Sequence, residues 1–217
     1  MEHPRLRFWE YRLNDLKTRL ASNNFEVWIA ADAADAGKIV RQRLLPQLHP
    51  RSISWGGSMT FIASGLYAAL ADRQDVTVID TFEKGLAPSE SNERRRQSLL
   101  VDLFITGSNA VTEDGRLVNL DMLGNRVAAL TFGPKNVIVM VGRNKIVGTL
   151  EDAMQRIRFY AAPANAIRLD KNTPCFNTGR CQDCNTTDRI CNTWTITEKS
   201  YPKGRVKIIL INEDLGL

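Results

Sequence analysis

The chain has 217 residues, of which 43% are hydrophobic and 24% charged, and a formal net charge of +5. These values match soluble globular proteins and exclude a disordered chain or a fibrous repeat, while the length suits one α/β domain with a buried core. The positive excess is small and scattered, and the densest run, Arg94-Arg95-Arg96, follows Glu90 and Glu93 as on a solvated helix face, so no nucleic-acid partner is expected.

Residues 5–22 place Leu6, Trp9, Leu13, Leu16 and Leu20 at spacings of three to four, one apolar stripe on a helix. That stripe can pack on the protein's own sheet or serve homo-oligomer formation. "FEVWIA" (25–30) reads as a strand and "ADAADAGKIVRQRLLPQL" as a helix that Pro46 disturbs near its end. "SISW" (52–55) is a short strand running into "GGSMTFIASGLYAALA", a tight turn followed by a helix start. "DVTVID" (75–80), "VDLFITG" (101–107) and "NVIVMVG" (136–142) are further β-branched runs separated by helix-length segments; in "SESNERRRQSLL", Ser89 is the candidate N-cap. "TLEDAMQRIRFYAAP" predicts a helix capped by Thr149, with Pro163 beyond its end. After a cysteine-rich loop, "TWTITEK" and "RVKIILIN" are strand-like.

Strands alternating with helices imply an α/β fold with a mainly parallel sheet and helices on both faces. The expected organisation is a helical arm over residues 1–24, then an α/β domain over 25–217 that includes the cysteine-rich loop at 173–193. No apolar run approaches the roughly 20 residues of a membrane span, and the charged first 20 residues lack the apolar core of a secretory signal. A cytoplasmic location and no membrane partner are expected.

Two segments carry candidate chemistry. In "WGGSMT", Gly56 and Gly57 let a ligand approach the backbone, and Ser58, Met59 and Thr60 open a helix whose free N–H groups favour an anion; an ordinary tight turn explains the same letters. "TGSNAVTEDGRLVNLDMLGNRVAAL" begins at the carboxyl end of a predicted strand, where open α/β sheets bind ligands. There Glu113 is a candidate general base, Asn109 and Asn125 candidate orienting groups, and Arg126 a candidate anion partner. "EDGRL" also reads as a hairpin turn.

All four cysteines lie in "TPCFNTGRCQDCNTTDRIC". Cys175, Cys181, Cys184 and Cys191 have the spacing C-x₅-C-x₂-C-x₆-C. The central C-x₂-C can grip one ion and the outer thiols can complete a tetrahedron, as zinc or as an iron–sulfur cluster. A redox pair and unligated thiols are the other two readings.

Together, "WGGSMT", the segment from Thr106 to Val147 and the cysteine loop resemble the LUD domain family, once catalogued as a domain of unknown function and linked to bacterial lactate utilisation. The resemblance spans nearly the whole chain. It implies the fold of ribose-5-phosphate isomerases, coenzyme A transferases and sugar-phosphate-sensing regulators. In those, the loop matching Gly56 to Met59 contacts an anionic group, the segment matching Asn109 to Asp114 supplies polar or catalytic groups, and Asn125 stands where a substrate-contacting Asn is found. The implied activity is a part in the oxidation of lactate or a related hydroxy acid with operon-encoded redox partner subunits. A non-catalytic sensor or assembly module for a small anionic metabolite is the alternative. Longer members add ferredoxin-like segments; this chain has no C-x₂-C-x₂-C run and matches the short, single-domain kind.

Overall fold

A computed structural model describes residues 4–217. The first helix, α1 (Pro4–Ser22), leads into β1 (Glu26–Ala30). Next, α2 (Ala33–Ile39) and α3 (Leu45–Leu48) are joined by a π-helical turn, Val40–Leu44, and lead to β2 (Ser52–Trp55). Helices α4 (Met59–Ala63) and α5 (Leu66–Leu70) follow, then β3 (Thr77–Ile79), α6 (Pro88–Gln97) and β4 (Leu103–Gly107). A hairpin of β5 (Ala110–Thr112) and β6 (Leu117–Asp121) precedes α7 (Asn125–Thr131), β7 (Asn136–Gly142) and the short β8 (Ile146–Val147). Helices α8 (Leu150–Arg156) and α9 (Ala162–Arg168) flank a second π turn, Ile157–Ala161; α10 (Pro174–Thr178), β9 (Thr193–Thr197) and β10 (Val206–Ile211) complete the chain.

Six strands form one sheet in the order β1-β10-β7-β4-β2-β3, every pair parallel. Its central strands are apolar throughout because both faces are covered, as parallel sheets require. On one face Ile53, Trp55, Ile105, Ile138 and Ile209 pack against Ala36, Val40, Leu44, Phe61 and Leu66 of α2 to α5. On the other, Phe104, Val137, Val139, Ile208 and Leu210 meet Leu13, Leu16 and Leu20 of α1 and Leu130 of α7. A second, four-stranded sheet, β8-β5-β6-β9, is mostly antiparallel. Val111 and Leu117 press it against the α1 side of the large sheet, while Ala110 and Val118 pack on Ala153 and Ile157.

The stripe on the first helix therefore faces the protein's own sheet: Leu13, Leu16 and Leu20 are buried and Trp9 is partly covered, whereas Leu6 remains exposed. One proline expectation holds and one needs correction: Pro46 does disturb its helix near the end, at Leu48, whereas Pro163 lies inside a helix, not beyond it. In both places a π turn comes immediately before the proline: Leu45 N–H reaches Val40 O, and Ala162 N–H reaches Ile157 O. A proline in a regular helix removes one N–H and pushes its ring into the carbonyl four residues back; widening the turn shifts that carbonyl aside and lets the helix continue. The cap of α6 is Ala87 in place of Ser89, with Pro88 as the first helical residue, where a fixed φ is an advantage. Thr149 caps α8 as expected, exchanging hydrogen bonds with Asp152.

Because Leu16 is fully enclosed between α1 and the sheet, Leu16→Ala should lower unfolding free energy by about 2–5 kcal/mol in urea titrations. A loss below about 0.5 kcal/mol would mean that α1 is not part of the cooperative core.

Candidate functional site

The carboxyl ends of β2, β3, β4 and β7 open into one cleft of about 520 Å³. Gly57, Ser58 and Met59 line it after β2, Thr81 and Phe82 after β3, Gly107 to Asn109 after β4, and Lys145 after β7. Asp121, Asn125 and Arg126 of β6 and α7 line it as well, as do Asn165 and Arg168 of α9.

The turn after β2 sits close to β4 because neither chain carries a bulky side chain there. A Cβ on Gly107 would lie 2.7 Å from Ser58 Oγ, and one on Gly56 would lie 3.0 Å from Phe104 Cζ and 3.1 Å from Arg126 Cγ. Gly56 thus supports the turn from beneath, while Gly57 meets nothing within 4 Å. Ser58 Oγ accepts the Phe61 N–H (3.1 Å) and caps α4. Thr60 is fully buried under the cleft, where its hydroxyl oxygen accepts from Lys145 Nζ (3.1 Å).

Arg126 holds the floor together. Its Nη1 donates to Asn119 Oδ1 (2.7 Å) and Gly107 O (3.2 Å), and its Nη2 donates to Asn109 Oδ1 (2.8 Å) and Leu120 O (3.1 Å). Asp121 Oδ2 accepts the backbone N–H groups of Arg126 (3.1 Å) and Val127 (3.2 Å) at the start of α7. The expectation that Arg126 pairs with a ligand anion is therefore corrected: its terminal nitrogens are already taken by four protein oxygens. Asn109 is likewise a positioning residue through its oxygen, which also accepts Leu120 N–H (3.0 Å).

Glu113 is not in the cleft. It opens the β5–β6 turn and forms an ion pair with Arg12 on α1, with 47% of its side chain exposed. The "EDG" segment docks that turn on α1: Asn23 Nδ2 donates to Asp114 O (3.3 Å) and Gly115 O (3.2 Å), and Gly115 adopts φ +91°. The hairpin reading of these letters holds, and the general-base expectation for Glu113 is corrected. Asn125 does line the cleft.

The residue that sequence reasoning missed is Lys145. It is 5% exposed, lines the cleft, and among the described residues its hydrogen-bond partner is the neutral Thr60. Burial foremost, then the neighbouring cations Arg156 and Arg126, push its ammonium down from 10.5 to about 7. Its one signal in the sequence was a lysine just past an apolar strand, in "VGRNKIV". Tyr67 and Phe82, packed with Trp55 and Phe61, also line the cleft; Asp80 accepts from Tyr67 Oη (3.0 Å) and Trp55 Nε1 (3.0 Å).

The cysteine loop adjoins the cleft through Leu120 and Ile190, which line both the cleft and a second cavity of about 20 Å³. Cys175, Cys181, Cys184 and Cys191 all line that small cavity as half-buried free thiols. Asp183 N–H donates to Cys181 Sγ (3.5 Å), and Cys175 and Cys184 lie 3.2 Å and 3.7 Å from the hydroxyls of Thr173 and Thr186. Burial foremost, with the other three thiols adding to it, pushes Cys191 up to about 11. Among the described residues no three His, Cys, Asp or Glu side chains stand in the closed arrangement of a metal's ligands.

A parallel sheet whose strand ends open into a polar cleft defines an open-sheet α/β protein, with the cleft at the carboxyl ends of its strands. The chain belongs to the LUD domain family, whose model matches residues 13–211. Its fold is that of a DUF162 family protein from Deinococcus radiodurans, which is 17% identical, with a TM-score of 0.52 over 94% of this chain and 98% of that one. A D-ribose-5-phosphate isomerase in complex with phospho-erythronic acid matches 52% of this chain and 54% of its own at 20% identity (TM-score 0.31). A ribose 5-phosphate isomerase from Plasmodium falciparum matches 52% of each chain at 15% identity (TM-score 0.30). A comparison with curated proteins finds no match. No helix among the described residues is long and apolar enough to cross a membrane.

Two outcomes follow from this floor. Replacing Arg126 with Met would leave four oxygens without their donor in a buried site, so stability should fall by at least about 3 kcal/mol, measured by urea unfolding. For Lys145, the folded chain lacks a proton that the unfolded chain binds between pH about 7 and 10.5. Stability is therefore gained as pH rises through that window and lost as it falls through about 7. Lys145→Met should flatten that rise, seen as a smaller difference between urea midpoints at about pH 6 and about pH 9.

Proposed function

We propose that the cleft binds a small hydroxylated anion, a sugar phosphate or a hydroxy acid. Lys145 is its central cation, and Lys84, Arg95 and Arg168 are the charges at the rim. The observation that carries this reading is the enclosed ammonium of Lys145, whose electrostatic neighbours Arg156 and Arg126 are also cations. A buried cation is normally paired, and Asp121, the one carboxylate side chain lining the cleft among the described residues, is committed to α7. An entering phosphate or carboxylate supplies the missing partner. Gly57, Ser58 and Asn125 then stand where hydroxyl groups of the same ligand can be met.

The family's association with lactate utilisation makes a hydroxy acid the first ligand to consider, but about 520 Å³ is in the range of sites for larger ligands. A sugar phosphate fills more of it. With an ammonium near neutrality, Lys145 is also the group best suited to take a proton from a bound hydroxyl or an adjacent carbon. Oxidation of a hydroxy acid would further need an electron acceptor from a partner subunit. The sensor reading needs only the donors.

Binding should be coupled to protonation, because an anion beside Lys145 raises an ammonium that burial has lowered. Calorimetry with ribose 5-phosphate, inorganic phosphate and L-lactate tests this: affinity should fall above about pH 7, with proton uptake in buffers of different ionisation enthalpy. Lys145→Met should weaken binding at least about tenfold, and Glu113→Gln should leave it unchanged. If none of these anions binds, or Lys145→Met binds equally well, the reading fails.

A further inference from the structure

We infer that Cys175, Cys181, Cys184 and Cys191 form a site for a single soft divalent cation, zinc, which closes the segment after α10 against the small sheet. Every cysteine of the chain faces one cavity, and none is in a disulfide. A cavity of about 20 Å³ is just above what one water-sized occupant requires. That is enough for a lone ion.

Groups that can offset thiolate charge surround the four cysteines. Cys181 Sγ already accepts the backbone N–H of Asp183 across the C-x₂-C turn, where Asp183 adopts φ +46°. Such an N–H offsets charge on a thiolate without competing for the metal. Arg158 lines the cavity, and Arg189 spans it, donating to the carbonyls of Cys184 and Cys191. These two cations counter the net negative charge of four thiolates on one divalent ion. Zinc–sulfur bonds of about 2.3 Å require the sulfurs to come within about 4 Å of one another. Residues 180–192 contain no helix or strand, so side-chain rotation and a short loop adjustment can close the tetrahedron.

The free energy of such a site is largely free energy of folding the segment, which here carries few apolar residues. Asn192 fastens the segment to the cleft, donating its N–H to Asp121 O (3.1 Å) and Nδ2–H to Met122 O (3.1 Å). The inference does not depend on what the cleft binds.

The test is metal analysis of the full chain purified under reducing conditions, followed by cobalt titration of the chelator-treated protein. About one equivalent of zinc per chain is expected. Cobalt should give thiolate charge-transfer and tetrahedral ligand-field bands that zinc abolishes. Cys181→Ser and Cys184→Ser should each lose the metal. Should those variants not fold, alkylation of the native chain reports instead: zinc should protect the four thiols and a chelator should expose them. A metal-free chain giving no cobalt–thiolate bands would overturn the inference, and so would several irons with acid-labile sulfide, or a disulfide within the loop.

Discussion

A guanidinium enclosed in protein must find an acceptor for nearly every N–H it carries, and that requirement at Arg126 organises the functional end of this molecule. Its partners come from the end of β4, from the β4–β5 connection and from β6, while Asp121 fixes the start of α7 below it. The large parallel sheet and the small antiparallel one are thereby held in one relation. Asn119 Oδ1 accepts Asn109 N–H and Asn109 Oδ1 accepts Leu120 N–H, and both oxygens also accept from the same guanidinium, which repeats the link. With its floor fixed in this way, the cleft can enclose Lys145 with Thr60 as its hydrogen-bond partner among the described residues.

The fold was legible where its signals are local. β-Branched runs bounded by turn residues marked the strands of the large sheet, because a strand buried on both faces has few other sequences open to it. The Thr149 cap and the glycine-serine turn were legible for the same reason: donor and acceptor lie within three residues. Pro163 misled because a π turn, which leaves no composition signature, changed the geometry that it meets.

At the site, residue type could not reveal who was already engaged. Arg126 looked like an anion partner in "GNRVA", yet its partners arrive from residues 107–120. Glu113 looked like a base beside a strand end, yet Arg12, about a hundred positions earlier, holds it outside. Lys145 carried no mark beyond following an apolar strand, yet Thr60, 85 positions earlier, meets its ammonium. Chemical identity is written locally, but availability for chemistry is decided by distant segments.

β10 lies between β1 and β7, bonded to both along its length. Strand β1 thus has no partner in the large sheet until residues 206–211 have been synthesised, and β7 has only one. Assembly of the main core must therefore wait for a segment made long after most of its neighbours, and chain closure over that separation slows the search. In the interval both strands present open apolar edges of the kind that recruit other chains. The fold's dependence on a late-arriving central strand makes its biogenesis, more than its final stability, the stage at which this protein is most exposed to misassembly.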